Sequence, residues 1–267
     1  IQKEMEIYDQ KRNDPQIMKI LAFSDWRSQN IDDIFRFIET ISEPIDVILY
    51  AGDDVRRFHS DKINYFTKLA KYTRQKKVLA VIGNDDGQIG KSILQGKNVY
   101  DIHEEPMIIG DFGFMGLEGA TSGPGFCYSE KYVEKHLKKQ YKKMKSKQLI
   151  IVSHPPPHGI LDYGIRFATE DEETHNIGSK SLKNFISKKD TQLVVCGHCH
   201  SQGGISQKDH NTTIANVSSH DDTNAKGNFA LIELNGNTEP QIQWCDTTQL
   251  IDPNSIMNIH GIGPKIA

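Results

Sequence analysis

Six side chains of metal-ligand type stand just past the ends of five short apolar runs. They are Asp25 in Ser24-Asp25, Asp53 in Gly52-Asp53, Asn84 in Gly83-Asn84, His154 in Ser153-His154, and His198 and His200 in Gly197-His198-Cys199-His200. Oxygen and imidazole donors in this mixture suit Mn, Fe or Zn at catalytic sites. One Asp or Asn after a strand is ordinarily a turn or cap residue, and a lone Gly-His carries no signal. Five strand ends that all close on metal ligands are another matter, because coincidence would have to recur at each.

Such a set works only if the runs end at one place. They are Ile20–Phe23, Val47–Tyr50, Val78–Ile82, Leu149–Val152 and Leu193–Val195, short and rich in β-branched residues, and they read as strands buried on both faces. Between the first three lie helical patterns. Ile31, Ile34, Phe35 and Ile38 share a face behind Asn30 as N-cap, and Ile63, Phe66, Leu69 and Ala70 share another behind Ser60. Strand–helix–strand alternation predicts parallel βαβ units, whose ligands collect at the carboxyl ends of the strands. Glycine before Asp53, Asn84 and His198 lets the chain turn sharply off each strand. The second half is richer in strands, at Phe112–Leu117, Thr212–Val217, Phe229–Leu234 and Gln241–Trp244, with a long Lys-rich helix over 130–148. The economical architecture is a mixed two-sheet core flanked by helices.

The 267 residues suffice for a real core, and 37% hydrophobic with 25% charged residues is a globular balance. No apolar run reaches a membrane span, so no membrane partner is expected. Four cysteines in this length argue against a disulfide framework and for a reduced, cytoplasmic protein. With 32 basic and 35 acidic residues the net charge of −3 excludes a uniformly basic coat protein, though not a local basic patch. Residues 1–17 read as a polar extension, 18–250 as the domain and 251–267 as a tail. The chain opens on Ile1 and stops at Ala267, so a piece of a longer protein is expected.

The ordered blocks Asp25-Trp26-Arg27, Gly52-Asp53-Asp54, Gly83-Asn84-Asp85, His154 and Gly197-His198-Cys199-His200 resemble the calcineurin-like metallophosphoesterase family, over about residues 18–245. More narrowly, His154-Pro155-Pro156-Pro157-His158-Gly159, Asp162, Gly178-Ser179 and Val194–His198 are similar to the branch of predicted phosphoesterases related to bacterial cyclic-nucleotide phosphodiesterases. The resemblance implies the α/β (α+β) class, a four-layer αββα sandwich with mixed sheets and one or two divalent ions, Mn²⁺ first and Fe or Zn behind it. Asp53 would bridge the metals, Asp25 and His200 would hold the first, and Asn84, His154 and His198 the second. The physical logic stands by itself. Two cations about 3.5–4 Å apart clamp a phosphate, acidify a bridging water and stabilise the attacking and leaving oxygens.

Two positions depart from that pattern. Arg27 replaces the His of D-x-H, and a guanidinium cannot ligate a metal in any ordinary way. It would grip a substrate phosphate or pair with a carboxylate; the alternative is an ion pair with Asp53 or Asp54 in a dead first site. Asp85 replaces the His of G-N-H. It would protonate a leaving group only if burial or Asp54 or Asp86 kept it protonated, and is otherwise a turn residue. His158 is a candidate substrate residue beside His154, against a plain surface role. Trp26 either stacks on a base at the pocket mouth or packs, and Cys196 and Cys199 are not expected to form a redox pair.

The expected function is a metal-dependent phosphoesterase, with phosphodiester hydrolysis of nucleotides or nucleic acid by a metal-activated hydroxide and Arg27, Asn84 and Asp85 as catalytic candidates. The alternative is a catalytically degenerate fold serving as a protein- or DNA-binding module, favoured by Arg27 and Asp85. DNA is a candidate partner through the Lys-rich helix and through Ile256–Ala267, whose Gly261-Ile262-Gly263 resembles the start of a helix-hairpin-helix unit.

Overall fold

The computed structural model describes residues 17–246 except 27–29, 43, 61, 145–146, 165–174, 220–227 and 237. In chain order the elements are β1 (Ile17–Phe23), α1 (Ile31–Thr40), β2 (Val47–Tyr50), the hairpin β3 (His59–Ser60) and β4 (Ile63–Asn64), α2 (Tyr65–Leu69), β5 (Val78–Ala80) and α3 (Gly87–Ile93). There follow β6 (Val99–Asp101), β7 (Met107–Ile109), β8 (Phe112–Leu117), α4 (Glu130–Tyr141), β9 (Gln148–Ser153), α5 (Lys180–Ile186) and β10 (Leu193–Cys196). The last are β11 (Ile205–Asp209), β12 (Thr212–Asn216), β13 (Asn228–Asn235) and β14 (Gln241–Asp246).

Two six-stranded mixed sheets form the centre, ordered β14-β13-β1-β2-β5-β6 and β11-β12-β10-β9-β8-β7. In the first, β1, β2, β5 and β6 run parallel, and β13 joins β1 antiparallel. In the second, β8, β9, β10 and β12 are parallel and the edges β7 and β11 antiparallel. Alternation along each strand sorts the side chains into layers. Leu21, Phe23, Ile48 and Tyr50 pack with Ile34, Phe37, Phe66 and Leu69 under the helices. Ala22, Val47 and Leu49 meet Ile150, Val152, Leu193 and Val195 between the sheets. Ile151, Val194 and Cys196 face Val133, Leu137, Leu182 and Phe185 beyond the second sheet. The result is a mixed α/β sandwich of four layers, in which the central strands β2, β5, β8 and β10 are buried on both faces.

Asn30 caps α1 as expected, its side chain accepting from Asp32 N at 3.0 Å. The second helix differs. Ser60 and Ile63 lie in the β3–β4 hairpin, and Asn64 is the cap, accepting from Thr67 N at 3.1 Å. Ile63 is exposed and has no helical face to join. The Lys-rich helix also stops earlier than predicted, at Tyr141, because Gln148 must already enter β9 opposite Phe112. Among the described residues no helix is long and apolar enough to cross a membrane.

Candidate metal centre

The carboxyl ends of β1, β2, β5, β9 and β10 open onto one rim, and main-chain hydrogen bonds lace their turns together. Asp25 N donates to Gly52 O at 3.0 Å, and Gly197 N to His154 O at 3.0 Å. His154 crosses between the sheets, its Nδ1 2.8 Å from Ala51 O. That bond assigns the Nδ1 proton and turns Nε2 toward the other candidates.

Three of the six predicted ligands group tightly there, and Asn84, His198 and His200 adjoin them. Asp25, Asp53 and His154 offer ligand atoms all within 4.8 Å of one another. His154 Nε2 is 2.9 Å from Asn84 Oδ1 and 3.4 Å from Asp53 Oδ2. His200 Nε2 is 2.9 Å from Asp25 Oδ1. The His198 ring lies 5.0 Å from that of His154, and its backbone N donates to Asp25 Oδ2 at 3.2 Å. Asp25, Asp53, Asn84 and His154 are buried, while His198 and His200 are half-buried. The donor set fits a divalent cation, since imidazole nitrogens face carboxylate and amide oxygens. His198 Nε2 fits it too: it is shut off from solvent, with no hydrogen-bond partner among the described residues.

Backbone geometry at these turns is unusual. Asp25, Asp53 and His198 have φ of 52°, 57° and 69°, the left-handed region that non-glycine residues enter at a cost. Glycine was expected to do the turning. Gly52 does so, at φ 97°. Gly83 and Gly197 do not have positive φ; they clear space instead. A Cβ on Gly83 would run into the Asp53 carboxylate, and one on Gly197 into the Ser24 hydroxyl and the Asp25 carboxylate.

A family of known proteins matches this chain over residues 18–202, the calcineurin-like phosphoesterases. The chain belongs to that family. Among solved structures, one neighbour superposes with a TM-score of 0.60 at 19% identity, over 87% of this chain and all of the other. The protein TT1561 of Thermus thermophilus gives 0.59 at 15% identity over the same shares, and both likenesses are of fold alone. A search of curated proteins found no match.

Electrostatics inside the phosphoesterase site sort the groups. Burial opposes ionisation of Asp25, but the His200 hydrogen bond and the His200 and His154 charges outweigh it and hold the carboxyl well below its usual range. Asp53 is likewise lowered, burial being overcome by His154. His154 is raised to about 9, its burial outweighed by Asp53 and Asp25. Burial and the neighbouring His154 push His198 down to about 3. A dicationic guest would take over the role that His154 plays toward both carboxylates.

Three supporting residues were not singled out as site residues from sequence. Asp86 is buried and accepts from Val55 N at 2.9 Å and Gly83 N at 2.8 Å, tying the Asp53 and Asn84 turns together. Burial and the Asp53 charge push its carboxyl up to about 7. The Ser24 hydroxyl donates to Asp25, and the Tyr50 hydroxyl to the Asp53 carbonyl. Their only sequence signal was proximity to a candidate ligand.

The other candidates divide. Arg27 lies outside the described residues. Asp85 is exposed, so burial does not enclose it; its Oδ1 accepts from Asn84 Nδ2 at 2.8 Å and its N donates to Asp53 Oδ1 at 2.9 Å. His158 is half-buried, its backbone N donating to Ser179 O at 3.0 Å. Asp162 is a loop clamp, with Oδ2 accepting from Gly159 N and Gly178 N at 2.9 and 3.0 Å. Trp26 is fully buried against Phe23 and Phe229, so it packs and does not line a pocket mouth. Cys196 and Cys199 are buried free thiols. Elsewhere His103, Glu104 and Glu118 also group closely, but Lys91 Nζ already stands 2.8 and 2.9 Å from the two carboxylates as their cation.

Proposed function

We propose that this phosphoesterase is a metal-dependent phosphodiesterase acting on nucleotide or nucleic-acid esters, with residues 18–250 as its catalytic unit. What supports the reading is the grouping of Asp25, Asp53 and His154 with Asn84, His198 and His200 adjoining them from five strand ends, His198 Nε2 being buried with no hydrogen-bond partner among the described residues. Asn84, His154, His198 and Asp53 would hold one cation, and Asp25, His200 and Asp53 a second; Mn²⁺ is the first choice. Such cations supply Lewis-acid charge at the phosphate and a nucleophile at neutral pH. The chain's own contribution is orientation. The Ala51 carbonyl sets the His154 tautomer, the Ser24 hydroxyl fixes Asp25, and Asp86 holds the two ligand turns in register. Arg27 would grip the phosphate, and His158 would border it. With an exposed Asp at position 85, protonation of the leaving group falls to solvent, which favours activated or nucleotide esters over simple alkyl esters.

Bis-p-nitrophenyl phosphate with added Mn²⁺ tests this. Turnover that EDTA stops and Asp53→Ala abolishes supports the enzyme. Absence of turnover with Mn²⁺, Fe²⁺ or Zn²⁺, together with no bound ion by metal analysis, refutes it and leaves the binding module that Asp85 favours. A cytoplasmic location fits four free cysteines. DNA contact through the exposed Lys131, Lys135, Lys138 and Lys139 of α4 and through the tail, which lies outside the described residues, predicts salt-sensitive binding. That binding should weaken when residues 256–267 are removed.

A further inference from the structure

The loop that follows His154 carries an aromatic pair toward the His200 side of the centre. Tyr163 is 50% exposed although its neighbours Leu161, Asp162 and Gly164 are buried. Its ring stacks on His175, with centroids 5.0 Å apart and planes 20° from parallel. The bridge between Tyr163 and Asn176 brings the two arms of the loop together at this point. Asp162, the residue before Tyr163, is buried and clamps the same loop through Gly159 N and Gly178 N.

The pair is fastened to the turn that carries His200. Tyr163 N donates to Gln202 Oε1 at 3.2 Å, and the Ser201 hydroxyl donates to Tyr163 O at 3.2 Å. Asn216 Nδ2 ties the adjoining backbones, donating to Cys199 O at 3.0 Å and to Leu161 O at 3.4 Å. His200 itself points back to Asp25. A half-exposed ring, stacked on His175, therefore stands on backbone anchored one turn away from a candidate metal ligand. Solvated aromatic rings are ordinarily free to rotate, and ordering one costs entropy. Here the stack and the backbone bonds have already met that cost.

We infer that Tyr163, backed by His175, is a stacking platform for the nucleobase next to the scissile phosphate. The platform rests on the phosphodiesterase reading and adds to it the substrate class: esters carrying a planar base on the His200 side. Stacking is indifferent to base identity because every base has a π-face, so no base selectivity is expected. Base–aromatic stacking is worth about 1–3 kcal/mol per base, which is roughly 5- to 150-fold in an equilibrium constant.

The test compares two esters with one leaving group, thymidine 5′-(p-nitrophenyl phosphate) and methyl p-nitrophenyl phosphate, in the full chain with Mn²⁺. The ratio of their kcat/KM values should fall about tenfold in Tyr163→Ala, mostly through KM, and be kept in Tyr163→Phe. A second readout needs no turnover. Calorimetric binding of thymidine 5′-monophosphate, relative to inorganic phosphate, should weaken by a similar factor in Tyr163→Ala. A loss seen also with a short oligo-dT strand extends the platform to polynucleotides, and a loss confined to the mononucleotide restricts it to small substrates; both support stacking. An unchanged ratio with unchanged relative binding overturns it, even if both esters are hydrolysed. Failure of the phosphodiesterase reading looks different, since neither ester would then turn over while the binding comparison still reports on Tyr163.

Discussion

Removing the Asp86 carboxylate should loosen the metal centre without touching a ligand. Both of its oxygens are committed, Oδ1 to Val55 N at 2.9 Å and Oδ2 to Gly83 N at 2.8 Å. Val55 and Gly83 are buried, so Asp86→Ala leaves two shielded N–H groups without acceptors. Each orphaned group costs about 1–3 kcal/mol, or about 2–6 kcal/mol together. Part is recovered because the carboxylate is itself uncomfortable: burial and Asp53 push it up to about 7. A net loss of about 3 kcal/mol at 2–4 °C per kcal/mol lowers Tm by roughly 6–12 °C. Asp86→Asn is not a neutral replacement, because an amide offers one acceptor where two are used; it should fall between wild type and Ala. The turns carrying Asp53 and Asn84 lose their shared strut, so Mn²⁺ affinity should drop about 10- to 100-fold, as for other residues that orient ligands. Differential scanning calorimetry on the metal-free protein and Mn²⁺ titration check both. Tm values within about 2 °C of wild type for both variants, with unchanged affinity, would show that Asp86 is not the strut described.

Gly83→Ala, in which the new methyl meets the Asp53 carboxylate, should abolish Mn²⁺-dependent turnover while far-UV circular dichroism stays native; retained turnover refutes the clash. Asp85→His, which restores the family's usual residue, should raise kcat at least about tenfold for alkyl esters and less for p-nitrophenyl esters; equal effects on both would contradict an exposed Asp85 as the weak point. Trp26→Ala should cost about 3–5 kcal/mol by emptying the space between Phe23 and Phe229, read by urea denaturation. Burial, with His136 and Lys91 nearby, pushes the His103 imidazole down to about 2, so the unfolded chain binds its proton first as pH falls below about 6.5. That contribution to stability is present above about pH 6.5 and lost as pH drops toward about 2, at up to about 1.4 kcal/mol per pH unit, and His103→Gln should flatten the slope by one proton.

Sequence alone carried the apolar strands, the parallel βαβ start and the six ligand candidates, but not the short hairpin β3–β4 or the edge-lying β6, β7 and β11. Runs such as Val47–Tyr50 and Leu193–Val195 are short, apolar and rich in β-branched residues, the pattern of doubly buried strands, which they form with β10 reaching one residue further to Cys196, and polar residues at their ends announce themselves. Local periodicity was a weaker guide where tertiary pairing intervened. Ser60 and Ile63 look like a helix start, yet the β3–β4 hairpin claims them and hands the cap to Asn64. The Lys-rich pattern runs on past Tyr141, but the register of β9 against β8 ends the helix first. What no spacing rule reveals is which groups converge. Asp86 became a strut and Gly83 a clearance only when the turns after β2 and β5 met side by side, Gly197 became a clearance where a turn of the second sheet met Ser24 and Asp25 of the first, and Trp26 became core between Phe23 and Phe229. Residue type determines what a side chain can do; contacts between residues distant along the chain decide which of those capacities is used.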